Sequence, residues 1–86
     1  MFYVYVLRSM KDSKLYIGLT SDLRRRITEH NRGQTKSTKY RKSFNLVYYE
    51  AYQDFRDAKV RELKLKRYKN SYTELKKRLF YSLSKT

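Results

Sequence analysis

The sequence predicts an α+β protein: a three-stranded antiparallel sheet flanked by helices, in the order β-β-α-β-α-α. Three observations carry this. Two β-rich segments near the N-terminus are joined by a connection short enough only for an antiparallel pair. A third β-rich segment, Phe44 to Tyr52, stands between stretches of helical periodicity. The two C-terminal stretches then supply apolar stripes that need a sheet face to cover them.

Each element follows from its residues. Phe2 to Arg8 is apolar on both faces, which suits a strand covered on both sides. Ser9 to Ser13 is a polar turn, and Lys14 to Leu19 is the second strand. A turn centred between Met10 and Lys11 places Tyr5 opposite Tyr16 and Tyr3 opposite Gly18. Thr20-Ser21-Asp22 offers N-caps for a helix that runs to about Asn31-Arg32, with Gly33 as its C-cap. Residues 34 to 43 form a basic polar loop before the third strand. Asp54 to about Lys69 is a second helix. Ser71-Tyr72-Thr73-Glu74 fits a capping box that starts a last helix, with Leu75, Leu79 and Leu83 on one face.

The 86 residues suit a single domain spanning 1–86, with no proline-rich linker or repeat to divide it. A domain of this length buries roughly 60% of its unfolded surface, so its core is modest. Lys and Arg total 22 against 8 acids, a formal charge of +14. That excess points to a polyanionic partner without naming a chemistry, since ribosomal proteins, membrane-surface proteins and nucleases share it. The absence of cysteine excludes a disulfide framework and a thiolate metal site, and suggests a cytoplasmic protein. No apolar run approaches the ~20 residues of a membrane span, so no membrane partner is expected. The N-terminus lacks the features of a signal peptide.

Several residues stand out, each with an ordinary explanation beside it. Tyr3, Tyr5, Tyr16 and Gly18 share one sheet face, where two phenols stand next to open space; an aromatic cross-strand pair would look the same. On the first helix, Leu23 and Ile27 form the inward stripe. His30, the chain's one histidine, falls on that stripe with Arg26 one turn before it. His30 could be a hydrogen-bonded core residue and Arg26 a solvated charge, as Arg24 and Arg25 are expected to be unless they touch phosphates. On the second helix, Phe55, Ala58, Glu62 and Leu65 share a face, and Glu62 interrupts it. A carboxylate there either pairs with a neighbouring Lys or Arg or holds a hard divalent ion. Taken together these groups suit phosphodiester hydrolysis: a phenol to take a proton, a guanidinium for the developing phosphate charge, and a carboxylate for a Lewis-acidic metal.

The pattern resembles the GIY-YIG nuclease superfamily. Tyr16-Ile17-Gly18 reproduces the second half of its motif, and Tyr3-Val4-Tyr5 stands where Gly-Ile-Tyr is usual. Ten residues lie between Tyr5 and Tyr16, an arginine follows Tyr16 by ten positions, and a histidine follows that by four. Leu46 to Glu50 and Ala58 to Glu62 look like the family's third strand and metal-binding helix. The similarity covers most of the chain and is greatest to small stand-alone bacterial members. It implies that Tyr16 activates a water, shared with Tyr5, that Arg26 stabilises the pentacoordinate phosphate, that His30 positions or protonates near it, and that Glu62 holds one Mg²⁺ or Mn²⁺. Departures are Tyr3 in place of the first glycine and Leu19 where the repair-nuclease branch tends to carry lysine.

The expected activity is therefore metal-dependent endonucleolytic cleavage of nucleic acid, DNA before RNA, with a role in DNA repair or recombination. Arg25, Lys36, Lys39, Arg41 and Lys42 are the expected nucleic-acid contacts. Family members of high specificity carry a further DNA-binding domain; the expectation here is weak, salt-sensitive, shape-dependent binding, with a protein partner as one source of specificity. Two other readings stay open: a non-catalytic nucleic-acid-binding module with the same fold, and a structural basic protein.

Overall fold

The computed structural model describes residues 1–35, 38, 40 and 43–84. Strand β1 (Phe2–Ser9) forms the middle of an antiparallel sheet ordered β2-β1-β3, between β2 (Leu15–Thr20) and β3 (Phe44–Tyr52). Its double-sided apolar pattern has a direct cause: both sheet faces are covered. Val4, Val6 and Ile17 pack against Ala58 and Leu65 of α2 (Phe55–Arg67) and Leu75 of α3 (Lys69–Arg78). On the opposite face Tyr5, Leu7 and Phe44 pack with Tyr16 and with Leu23 and Ile27 of α1 (Leu23–Asn31). The observed order is the predicted one, except that the last helix breaks after Arg78 and resumes as α4 (Phe80–Ser84).

The hairpin register differs from the expected one. Tyr5 lies opposite Gly18, Tyr3 opposite Thr20, and Leu7 opposite Tyr16. The turn is longer than assumed. Ser9 N–H donates to Lys14 O at 2.9 Å, Ser13 takes a left-handed φ of 62°, and the Asp12 carboxylate accepts from Lys14 N–H at 3.0 Å. The slip is two residues, and side chains alternate with period two, so Tyr3, Tyr5, Tyr16 and Gly18 still share a face. On the other side of β1 the pairing skips Val47 between Val6 and Leu7, a bulge in β3.

Helix ends follow their caps. The Asp22 carboxylate accepts from Arg25 N–H at 3.1 Å at the start of α1. Gly33, at φ 74°, ends it as expected: Gly33 N–H donates to His30 O and Gln34 N–H to Glu29 O. Asp54 caps α2 by accepting from Arg56 N–H. The expected capping box is absent, because α3 already begins at Lys69 and Ser71 lies inside it. A single extended residue, Tyr68, separates α2 from α3. The β3–α2 contact is locked by Glu50, which accepts from Tyr48, Tyr52 and, through two nitrogens, Arg61. Among the described residues no helix is long and apolar enough to cross a membrane.

Candidate active site

On the α1 face of the sheet, Tyr5, Tyr16 and Arg26 gather around His30. α1 crosses this face with Leu23 and Ile27 turned to the strands. His30, one turn beyond Arg26, is carried fully into the interior. Its Nε2 lies 2.9 Å from the Tyr5 hydroxyl and its Nδ1 lies 2.7 Å from Thr38 Oγ1. Three aromatic rings box the imidazole edge-on, those of Tyr16 at 5.0 Å and of Tyr5 and Phe44 at 5.8 Å. Burial, and then the nearby Arg26 charge, push the His30 pKa down to about 4, so the ring is neutral at pH 7.

Tyr5 can reach His30 because of Gly18. A Cβ at that position would lie 2.9 Å from Tyr5 Cε1 and nearer still to Cζ and Oη. The glycine is a space requirement, and the phenol lies where its side chain would be. Tyr5 is 1% exposed. Burial raises its pKa, and the Arg26 guanidinium opposes that rise. Arg26 is anchored by Glu29, whose carboxylate accepts from Nη1 at 3.0 Å, yet about a third of its side chain stays open to solvent. Tyr16 is half-buried.

Glu62 comes from the opposite layer. It sits on α2 between Ala58 and Leu65 and is 6% exposed. It lines a cleft of about 320 Å³ with Leu19, Thr20, Ser21 and Lys59, at the end of β2 that leads into α1. Its charge is felt at the Tyr5 hydroxyl. Burial would raise its pKa, but Lys59 at 3.0 Å and Lys66 at 3.1 Å outweigh burial and hold the carboxyl below its usual range. Glu62 is therefore ionised, inward and at a cleft, and it also has the lysine partners of the ordinary explanation.

Among the described residues no three His, Asp or Glu side chains cluster as metal ligands. A single buried carboxylate at a cleft nevertheless fits Mg²⁺ or Mn²⁺, because Mg²⁺ keeps several waters and often takes only one or two carboxylates. Lys59 and Lys66 are long and about half exposed, so both can leave the carboxylate without disturbing the core.

Of the expected nucleic-acid contacts, Arg25 is exposed on α1 beside Asp22 and Glu29. Lys36, Lys39, Arg41 and Lys42 lie outside the described residues. Tyr3 turns edge-on to Tyr49 at 5.8 Å, and both line a groove of about 560 Å³ with Arg24 and Leu46. A larger concavity of about 790 Å³, lined by Arg8, Lys14 and Lys76, carries none of the candidate catalytic groups. Sequence reasoning missed Thr38, which no periodicity marks within a polar loop. Lys59 and Lys66 were findable, since they stand three before and four after Glu62 on its helix.

Comparison with known proteins identifies the family and the fold. The family described as "GIY-YIG catalytic domain" matches residues 1–78. The UPF0213 proteins of Staphylococcus aureus strains Mu3 and COL are each 40% identical over 67 residues, which is 77% of this chain and 80% of theirs. The UPF0213 protein of Bacillus halodurans, solved by solution NMR, is 35% identical, covers 100% of both chains and has a TM-score of 0.51. A family match over nearly the whole chain, joined to the Tyr-His-Arg cluster, leads to one conclusion: the chain belongs to the GIY-YIG family, whose catalytic domain is that of endonucleases acting on nucleic acid.

Proposed function

We propose that this protein is a metal-dependent endonuclease that hydrolyses phosphodiester bonds, in DNA in preference to RNA, and that it serves DNA repair or recombination. The observation that carries the reading is the Tyr5–His30 hydrogen bond beside the Arg26 charge, an arrangement that only a glycine at position 18 admits. Binding alone requires neither a buried phenol–imidazole pair nor an inward carboxylate.

The chemistry follows from these groups. A water oxygen bonds to phosphorus, the bond to the leaving sugar oxygen breaks, and the water proton must go elsewhere. Tyr16, half-buried at the edge of the cluster, orients the water. Tyr16 activates that water together with Tyr5: the water's proton passes to the phenol pair as the Tyr5 proton moves to His30 Nε2, whose ring is neutral and has a lone pair to accept it. Arg26 directs its guanidinium at the charge that develops on the phosphate oxygens. Glu62 would hold the divalent ion, which supplies Lewis-acid stabilisation of the leaving oxygen when bound. Arg25, with Lys36, Lys39, Arg41 and Lys42, would hold the flanking phosphates as salt-sensitive contacts.

One observation favours a second reading. Both Glu62 oxygens already have lysine partners, as they would in a binding module whose glutamate is structural. The test separates the two. Labelled branched, nicked, single- and double-stranded DNA and RNA are incubated with Mg²⁺ or EDTA, beside the Glu62→Ala and Glu62→Gln variants. Metal-dependent cutting that both variants lose is the expected result. Salt-sensitive binding without cutting under every condition would establish the binding module instead.

A further inference from the structure

Thr38 enters no motif and no expected role, yet its side chain is fully buried against the catalytic cluster. Its hydroxyl lies 2.7 Å from His30 Nδ1, while Tyr5 takes the other ring nitrogen. We propose that Thr38 is a positioning residue: its hydroxyl accepts the Nδ1 proton of His30 and so keeps Nε2 unprotonated, ready for the proton of Tyr5. The inference rests on the reading of Tyr5 and His30 as the proton path of hydrolysis.

Hydrogen-bond accounting gives the direction. A neutral imidazole has one N–H donor and one bare nitrogen, and the partner of each nitrogen decides which is which. A guanidinium has donors only, so the Arg26 charge that acts on Tyr5 offers no acceptor for the phenol proton. The phenol has one proton, and among the described residues the hydrogen-bond partner of that hydroxyl is Nε2 at 2.9 Å. Nε2 must then be bare and Nδ1 must carry the hydrogen. At a fully buried ring that hydrogen needs an acceptor, and Thr38 Oγ1 is placed to be one. Thr38 N–H in turn donates to Thr35 O at 3.1 Å. With the ring turned to its other tautomer, Nε2–H would donate to Tyr5, and the phenol would have nowhere to pass a proton.

The chain has one histidine, so its ring nitrogens can be read without assignment ambiguity. Long-range ¹H–¹⁵N spectra near pH 7 should show Nδ1 protonated and Nε2 bare in the wild type. Thr38→Ser should keep that pattern. Thr38→Val, of nearly the same shape, should shift the ring toward Nε2–H and lower kcat at least about tenfold with KM little changed. A wild-type spectrum with Nε2 protonated would overturn the inference, and that measurement needs no variant to fold. So would a folded Thr38→Val protein that keeps Nδ1–H. A tautomer shift in Thr38→Val, in a protein whose wild type cuts no substrate, would support the assignment of Thr38 while refuting the nuclease reading.

Discussion

The substitution Gly18→Ala tests the heart of this site, because it adds one methyl group at the point where the Tyr5 ring lies. Among the described residues Gly33 is the one glycine with positive φ, so the requirement at Gly18 is room and nothing conformational. The new Cβ would stand 2.9 Å from Cε1 and closer to Cζ and Oη. Carbon atoms settle at about 3.5–4.0 Å, so the ring must retreat by roughly half an ångström at Cε1 and further at the hydroxyl. Its hydrogen bond to His30 starts at 2.9 Å and does not survive such a shift. Overpacking costs about 1–3 kcal/mol. A buried phenol and imidazole left unpaired cost about 1–3 kcal/mol more. Replacing glycine within a strand returns about 0.5–1 kcal/mol. The net loss is roughly 1–5 kcal/mol, about 3 kcal/mol at the midpoints, which corresponds to a fall in Tm of roughly 12–24 °C for a domain of this size.

Urea unfolding followed by circular dichroism measures this loss, and a double-mutant cycle assigns it. Tyr5→Leu removes the ring atoms that the new methyl would strike. In that background Gly18→Ala should cost less than about 1 kcal/mol, which leaves a coupling above about 1 kcal/mol. Equal costs in both backgrounds would show that the clash is not with Tyr5, and the cross-strand register behind the proposed site would be wrong.

Three further outcomes follow. His30 has a folded pKa of about 4, below its ordinary 6.5, so only the unfolded chain takes up its proton between those values. Its contribution is complete above pH 6.5 and is lost as pH falls toward 4, by roughly 2 kcal/mol between pH 6.5 and 5; urea midpoints across that range should show the slope, and His30→Gln should flatten it. Arg26→Lys keeps the charge but loses the planar fork, and single-turnover cleavage should slow by about 10²–10³ while anisotropy titrations show binding within a few-fold of wild type. Glu50→Ala strips Arg61 of its carboxylate at a largely buried position and should destabilise by roughly 3 kcal/mol in urea titration, an effect that Arg61→Met in the same chain should partly relieve.

Much of the fold is legible because its signals are local. The strands show in β-rich runs, α1 in its cap at Asp22 and its glycine at position 33, and α2 in the stripe of Ala58 and Leu65. The hairpin register is less so, since it depends on how many residues the turn consumes, and Ser13 in a left-handed conformation has no strong sequence mark. The two-residue slip left every side chain on its predicted face while giving Gly18 a new partner. The break between α2 and α3 at Tyr68 shows no proline or glycine, and a capping box read from the Ser71–Glu74 spacing alone fell inside a helix already under way. For the site, residues of one helix face could be grouped in advance, which brought Arg26 and His30 together. Thr38 could not, because a loop residue meets the site through chain path and not through period.

The two halves of the proposed site are held in different ways. Tyr5, His30 and Thr38 form a closed chain of hydrogen bonds inside the protein, with no long side chain among them. Such a chain holds its geometry because every alternative leaves a buried polar group unpaired. Glu62 is held by contrast through two flexible lysines anchored at the solvent edge. Two ammonium groups carry the same charge as one divalent ion, so the carboxylate remains ionised and compensated whichever of them it faces. Lysines released from it would stand beside the cleft that Glu62 lines, where a phosphate backbone would meet them. The buried glutamate thus needs no rearrangement of the core to exchange partners, and the hydrogen-bonded chain on the other face of the sheet stays fixed while it does so.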